Sequence, residues 1–105
     1  LELTRVSRIK NPYTEILVKE MVDEALANCD FKIQEANSRV IIDDYLPRIV
    51  CDRIKTTIIF TNLIGNAVKY SAKKNPQGGE IHIGHSRIKG VYEFYVKDNG
   101  IGILP

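Results

Sequence analysis

The chain has 105 residues, of which 44% are hydrophobic and 27% charged, with a formal net charge of +2. Such a composition is globular, excludes extended disorder, and at this length predicts one domain with a single, marginal core. The basic residues are interleaved with acids and form no dense patch, so no nucleic-acid partner is expected.

Leu1 to Ile9 carries Leu1, Val6 and Ile9 among basic residues and reads as the tail of a helix, broken by Asn11-Pro12. Leu1 to Lys10 is too charged for a signal peptide. Thr14 to Val18 predicts a short strand. Val18, Met21, Val22, Ala25, Leu26, Cys29 and Ile33 then recur at steps of three and four, which predicts one amphipathic helix ending near Asn37. Arg39 to Asp43 is β-branched and predicts a second strand. A turn at Asp44 to Pro47 and a short apolar run at Ile49 to Cys51 follow. Cys29 and Cys51 both fall within apolar patterns, which predicts buried structural thiols in a reducing compartment and not a disulfide framework.

Asp52 can cap a second helix, because its carboxylate can accept the free N–H groups of a first turn. That helix is expected to turn Ile54, Ile58, Ile59, Leu63, Ile64, Ala67 and Val68 toward the core and to end around Ser71. Lys73 to Gly79 is a polar loop. Glu80 to Arg87 and Val91 to Asp98 alternate and predict an antiparallel hairpin turning at Lys89-Gly90. The expected fold class is α+β: a two-layer α/β sandwich with helices on one face of a mixed sheet. No apolar run approaches the ~18 residues of a membrane span.

Two segments carry chemistry. On the second helix Asn62, Asn66, Lys69 and Tyr70 share one face, next to the apolar one. Asn is a mediocre helix former. A solvated face would explain the stripe at a cost of roughly tenths of a kcal/mol per Asn. The stripe also suits a phosphate–metal site. An Asn oxygen is a hard, neutral ligand for Mg²⁺, a Lys one turn along can reach phosphate, and a Tyr offers a flat face to a base or ribose. After the last strand comes Asp98-Asn99-Gly100-Ile101-Gly102. Asn-Gly is a common hairpin turn. Alternatively, Asp98 can accept a hydrogen bond from an adenine amine, Gly100 and Gly102 permit close backbone approach, and Ile101 and Ile103 can line an apolar pocket.

Together the segments are more specific. Phe60 to Ser71 resembles the N box of sensor histidine kinases, and Asp98 to Ile103 resembles their G1 box. Leu46-Pro47 leading to Asp52-Arg53 resembles the family's approach to the N box. Residues 1–12 resemble the end of the second dimerisation helix with its linker, leaving 13–105 as the N-terminal portion of the ATP-binding domain. The resemblance implies the ATP-binding sandwich shared with gyrase, Hsp90 and MutL, a Bergerat-type fold. It implies that Asn66 ligates Mg²⁺ on the ATP phosphates, with Asn62 beside that cation. Lys69 would contact phosphate, Tyr70 the adenine or ribose edge, and Asp98 the adenine, in a pocket shaped by Gly100 and Gly102. Hydrolysing relatives carry Glu at the position of Asn62. An amide cannot act as general base on water, so little intrinsic hydrolysis is expected.

The family's activity transfers the γ-phosphate to a histidine of its own dimerisation domain, in a homodimer, and then to a response regulator. The chain departs from that pattern in two ways. His82-Ile83 and His85-Ser86 lie on a predicted strand without an acidic neighbour, and are expected to be strand-surface or hairpin residues. The second glycine box and ATP lid lie outside a sequence that opens without Met and stops at Pro105, as a fragment of a longer cytoplasmic chain, soluble or membrane-anchored, would. Such a fragment is expected to be inactive alone. Two other readings stand beside this one: a degenerate module serving dimerisation or regulation, and an anti-sigma-type serine kinase of the same superfamily.

Overall fold

The computed structural model describes residues 13–75 and 77–98. The expected helix tail at Leu1 to Ile9 and the glycine turn from Asn99 onward lie outside the described residues. The elements are β1 (Tyr13–Leu17), α1 (Val18–Asn28), α2 (Asp30–Glu35), β2 (Arg39–Ile42), β3 (Arg48–Asp52), α3 (Arg53–Lys74), β4 (Glu80–Ile88) and β5 (Val91–Asp98). β2 runs parallel to β4, and β4 pairs antiparallel with β5, so the sheet β2–β4–β5 is mixed as expected. The helices pack on one side of it, in two layers.

Two local expectations need correction. The predicted single helix breaks at Cys29, whose backbone (φ −103°, ψ 6°) leaves helical geometry between α1 and α2. Asn28, Cys29 and Asp30 are all poor helix formers, and the Cys29 thiol is drawn to the Thr61 carbonyl of α3, 3.5 Å away. Helix α2 then stops in a Schellman motif. Asn37 is left-handed (φ 54°), while Ser38 N–H donates to Ile33 O and Asn37 N–H to Gln34 O, both at 3.1 Å. The apolar run at Ile49 to Cys51 is also a full strand, β3, which pairs antiparallel with β1 as a separate ribbon, Glu15 opposite Val50.

Asp52 caps α3 as predicted, its carboxylate accepting the Lys55 N–H at 3.0 Å. The helix continues to Lys74, past Ser71. Its buried face is rotated from the expected one and consists of Thr57, Phe60, Ile64, Ala67, Val68 and Ser71. Ile54, Ile59 and Leu63, expected inside, are 52%, 56% and 43% exposed. Two close contacts fix the rotation. The Phe60 ring meets Phe94 of β5 edge-on, with centroids 6.1 Å apart. At the other end a Cβ on Gly79 would stand 2.9 Å from the Ser71 Cβ, so only glycine lets the chain entering β4 lie against the helix.

Val18, Met21, Val22, Ile64, Ile81 and Ile83 are fully buried between α1, α3 and the sheet. Each large side chain among them contributes about 1.5–3 kcal/mol by leaving water. Cys29 and Cys51 are buried, as predicted. Burial pushes the Cys29 thiol pKa up, and the neighbouring Lys32 ammonium partly opposes the shift.

Candidate functional site

The outer face of α3 carries the stripe read from the sequence. Asn62, Asn66, Lys69 and Tyr70 are all exposed there, and the two asparagines stand about 6 Å apart along the axis. Among the described residues, no hydrogen bond or ion pair engages the Asn62, Asn66 or Lys69 side chains. The Lys73 ammonium lies 6.0 Å from the Tyr70 ring centroid. Asp98 ends β5 opposite Ile81. Because Gly79 abuts Ser71 just before Ile81, this strand end lies at the C-terminal part of α3, the part bearing Lys69 and Tyr70. Asp98 is half-buried. Gly100 and Gly102 lie outside the described residues.

An open groove of about 450 Å³ runs along the α2 flank of the stripe, lined by Lys32, Glu35, Ala36, Val68, Lys69 and Ala72. Its volume is in the range of small-molecule sites. On the flank carrying Tyr70, Ile59 and Leu63 form an exposed apolar margin. Neither margin was apparent from the sequence. Lys32 comes from another helix, and Ile59 and Leu63 looked like core. The one available signal was Gly65, a helix-interior glycine without a core role.

The donor set fits a metal–nucleotide complex better than a bare ion. Among the described residues no group of three or more His, Cys, Asp or Glu side chains could hold a metal. Neutral amide oxygens beside a lysine instead suit Mg²⁺ that brings phosphate oxygens and waters as its other ligands.

The histidines depart from expectation in part. His82 is a half-exposed strand residue as predicted, but its Nε2 bonds the Asp43 carboxylate at 2.8 Å. His85 is a hairpin residue, as predicted, but only partly exposed. Its side chain is only 18% exposed, and its ring packs among Tyr45, Tyr92 and Phe94. The second Asp43 oxygen accepts the His85 backbone N–H at 3.1 Å. The hydrogen bond from His82 is the main cause lowering the Asp43 pKa. Burial works against it, and the His85 N–H adds to it.

Among the described residues no helix is long and apolar enough to cross a membrane. Over nearly its whole length the chain is similar to several curated proteins. It is 32% identical over 107 residues to the phytochrome-like protein Cph1 of Synechocystis, covering 99% of this chain and 14% of that protein. It is 33% identical over 105 residues to the methanogenesis regulatory histidine kinase FilI of Methanothrix harundinacea, covering 100% of this chain and 12% of that protein. The chain thus spans a small part of these relatives. The fold matches that of the Acinetobacter baumannii histidine kinase AdeS with a TM-score of 0.75 at 21% identity, covering 99% of this chain and 50% of that one. Residues 51–105, which hold α3 and the hairpin, match the family of histidine kinase-, DNA gyrase B- and HSP90-like ATPases, and the chain belongs to that family as a histidine kinase-type ATP-binding domain.

Proposed function

We propose that this chain is the N-terminal portion, residues 13–105, of the ATP-binding domain of a cytoplasmic sensor histidine kinase, with residues 1–12 ending its dimerisation helix and linker. The observation that carries the reading is the exposed row Asn62–Asn66–Lys69–Tyr70 on α3, with the Asp98 strand end at the same end of the helix. In this reading Asp98 accepts a hydrogen bond from the adenine amine, and Tyr70 covers the base or ribose edge. The Asn66 oxygen ligates Mg²⁺, Asn62 sits beside that ion, and Lys69 contacts a phosphate oxygen. Gly100 and Gly102 let the backbone approach the ring. Bound Mg²⁺ would supply charge neutralisation on the phosphates. The side chains of this site bind and align, which is most of what phosphoryl transfer asks of a protein.

The acceptor in this reading is a histidine of the protein's own dimerisation domain in a homodimer, and a response-regulator receiver domain takes the phosphate next. Neither His82 nor His85 serves as acceptor, since both are strand residues held by Asp43 or by aromatic rings. No residue of the site is a catalytic base. The Asn62 amide cannot take a proton from water, so hydrolysis in the absence of the acceptor should be slow.

The test is Mg-ATP titration of the full-length protein by calorimetry, with Asn66→Asp and Asp98→Asn alongside. Asp98→Asn, which removes the charged acceptor, should lose affinity by about tenfold or more, the scale of a hydrogen bond to a charged group, and Asn66→Asp, which sets a negative charge beside the phosphates, should also lose affinity. Wild-type affinity in both would overturn the assignment.

A further inference from the structure

Lys32 has no role in the sites described so far, and its surroundings ask for one. It lies on α2, a helix with no buried residue. A Cβ placed on Gly65 of α3 would stand 3.9 Å from the Lys32 ammonium nitrogen and 4.0 Å from the Cys29 sulfur. The Lys32 side chain therefore reaches α3 beside Gly65, the residue next to Asn66. A glycine inside a helix costs about 1 kcal/mol relative to Ala. Here it leaves the helix surface low where the ammonium arrives.

The charge balance points the same way. Lys32 of α2 and Lys69 of α3 both line the groove, together with Ala36, Val68 and Ala72, and among the described residues Glu35 is its only acidic lining residue. Among the described residues neither lysine makes an ion pair. Two lysines and one glutamate leave the lining of the groove with a net positive charge, which favours an anion there. A terminal phosphate, with its several charged oxygens, would meet both.

We propose that Lys32 is a second phosphate-binding residue, which with Lys69 holds the distal phosphate of a nucleoside triphosphate whose base lies toward Tyr70 and Asp98. The inference rests on the nucleotide reading above and adds to it a source of discrimination between triphosphate and diphosphate. Lys32 acts in it as a point charge on a flexible stem, so its contribution depends on ligand charge and on salt.

The experiment measures the affinities of Mg-ATP, Mg-ADP and AMP for the full-length protein and for Lys32→Gln, Lys32→Arg and Asn66→Asp. Lys32→Gln should weaken Mg-ATP by about two- to fivefold, weaken Mg-ADP less and leave AMP unchanged. Lys32→Arg should restore most of the preference for Mg-ATP. The Mg-ATP difference should shrink as salt is raised. An equal loss for all three nucleotides would mean that Lys32 only supports the fold, and no loss would mean that it does not touch phosphate. Either result overturns the proposal while leaving the nucleotide site standing, provided Asn66→Asp still impairs binding. A wild-type protein that binds none of the three overturns both.

Discussion

The two faces of α3 are built from similar residues and end in opposite environments. Ile64 is fully buried, while its neighbour Leu63 is 43% exposed and Ile59 is 56% exposed. The small polar residues Thr57 and Ser71 are inside. Hydrophobicity alone therefore does not orient this helix. What orients it is shape: the Phe60–Phe94 contact at one end and the Gly79–Ser71 approach at the other. The face left outside is the one that carries Asn62, Asn66 and Lys69. Changing adjacent residues tests the contrast most directly. Ile64→Ala should destabilise the protein by about 2–5 kcal/mol, the range for large-to-small changes in a packed core. Leu63→Ala should cost less than about 1 kcal/mol, because much of its surface is already wet. Denaturant unfolding of both variants reads this out, and equal losses would break the comparison.

A smaller contrast lies along β4. Gly79 and Gly84 both pass close to side chains. At Gly79 the obstacle is Ser71, fully buried in α3. At Gly84, opposite Tyr95 in the ladder, it is the Tyr95 ring and an Asp43 oxygen, both 2.6 Å from a would-be Cβ. The Tyr95 ring rests on His82 with Lys97 4.5 Å above it, on the sheet face away from the helices, where it can swing outward. Gly79→Ala should therefore cost about 1–3 kcal/mol, as overpacking does, and Gly84→Ala less. Thermal melts that rank them in the reverse order would show that the outer-face cluster is the more rigid of the two.

Much of this was readable in the sequence, for a physical reason. The Asp52 cap, the β4–β5 hairpin and the row Asn62–Asn66–Lys69–Tyr70 all depend on residues a few positions apart, and period and capping chemistry report on such local relations. The misreadings are mostly non-local. Cys29 breaks a helix that its apolar period continues, because its partner is Thr61. The rotation of α3 depends on Phe94 and Gly79. His85 is only partly exposed because Tyr45, from a distant segment, joins its hairpin neighbours Tyr92 and Phe94 around the ring. Lys32 reaches the candidate site only through the packing of α2 on α3, and an isolated lysine carries no mark of that.

The weakest contrast expected concerns the outer sheet face, where Asp43 ties the end of β2 to β4. Its carboxylate accepts from His82 Nε2 at 2.8 Å and from the His85 N–H at 3.1 Å. His85 Nδ1, 3.6 Å from the second oxygen, stays beyond hydrogen-bond reach. With its pKa held below the ordinary carboxylate value, the folded state binds the Asp43 proton less readily than the unfolded chain does. The stability this contributes is fully present above the ordinary carboxylate range, near pH 4, and is lost as pH falls through the lowered folded value. The carboxylate is partly exposed, so the contribution belongs with surface pairs, about 0.2–1 kcal/mol. Asp43→Asn keeps an oxygen for the His85 N–H but removes the titrating group. Wild type should therefore exceed Asp43→Asn in stability at pH 6, and the gap should close as the pH of the melts is taken below about 4. A gap that stays constant with pH would show that Asp43 acts by shape and hydrogen bonding alone.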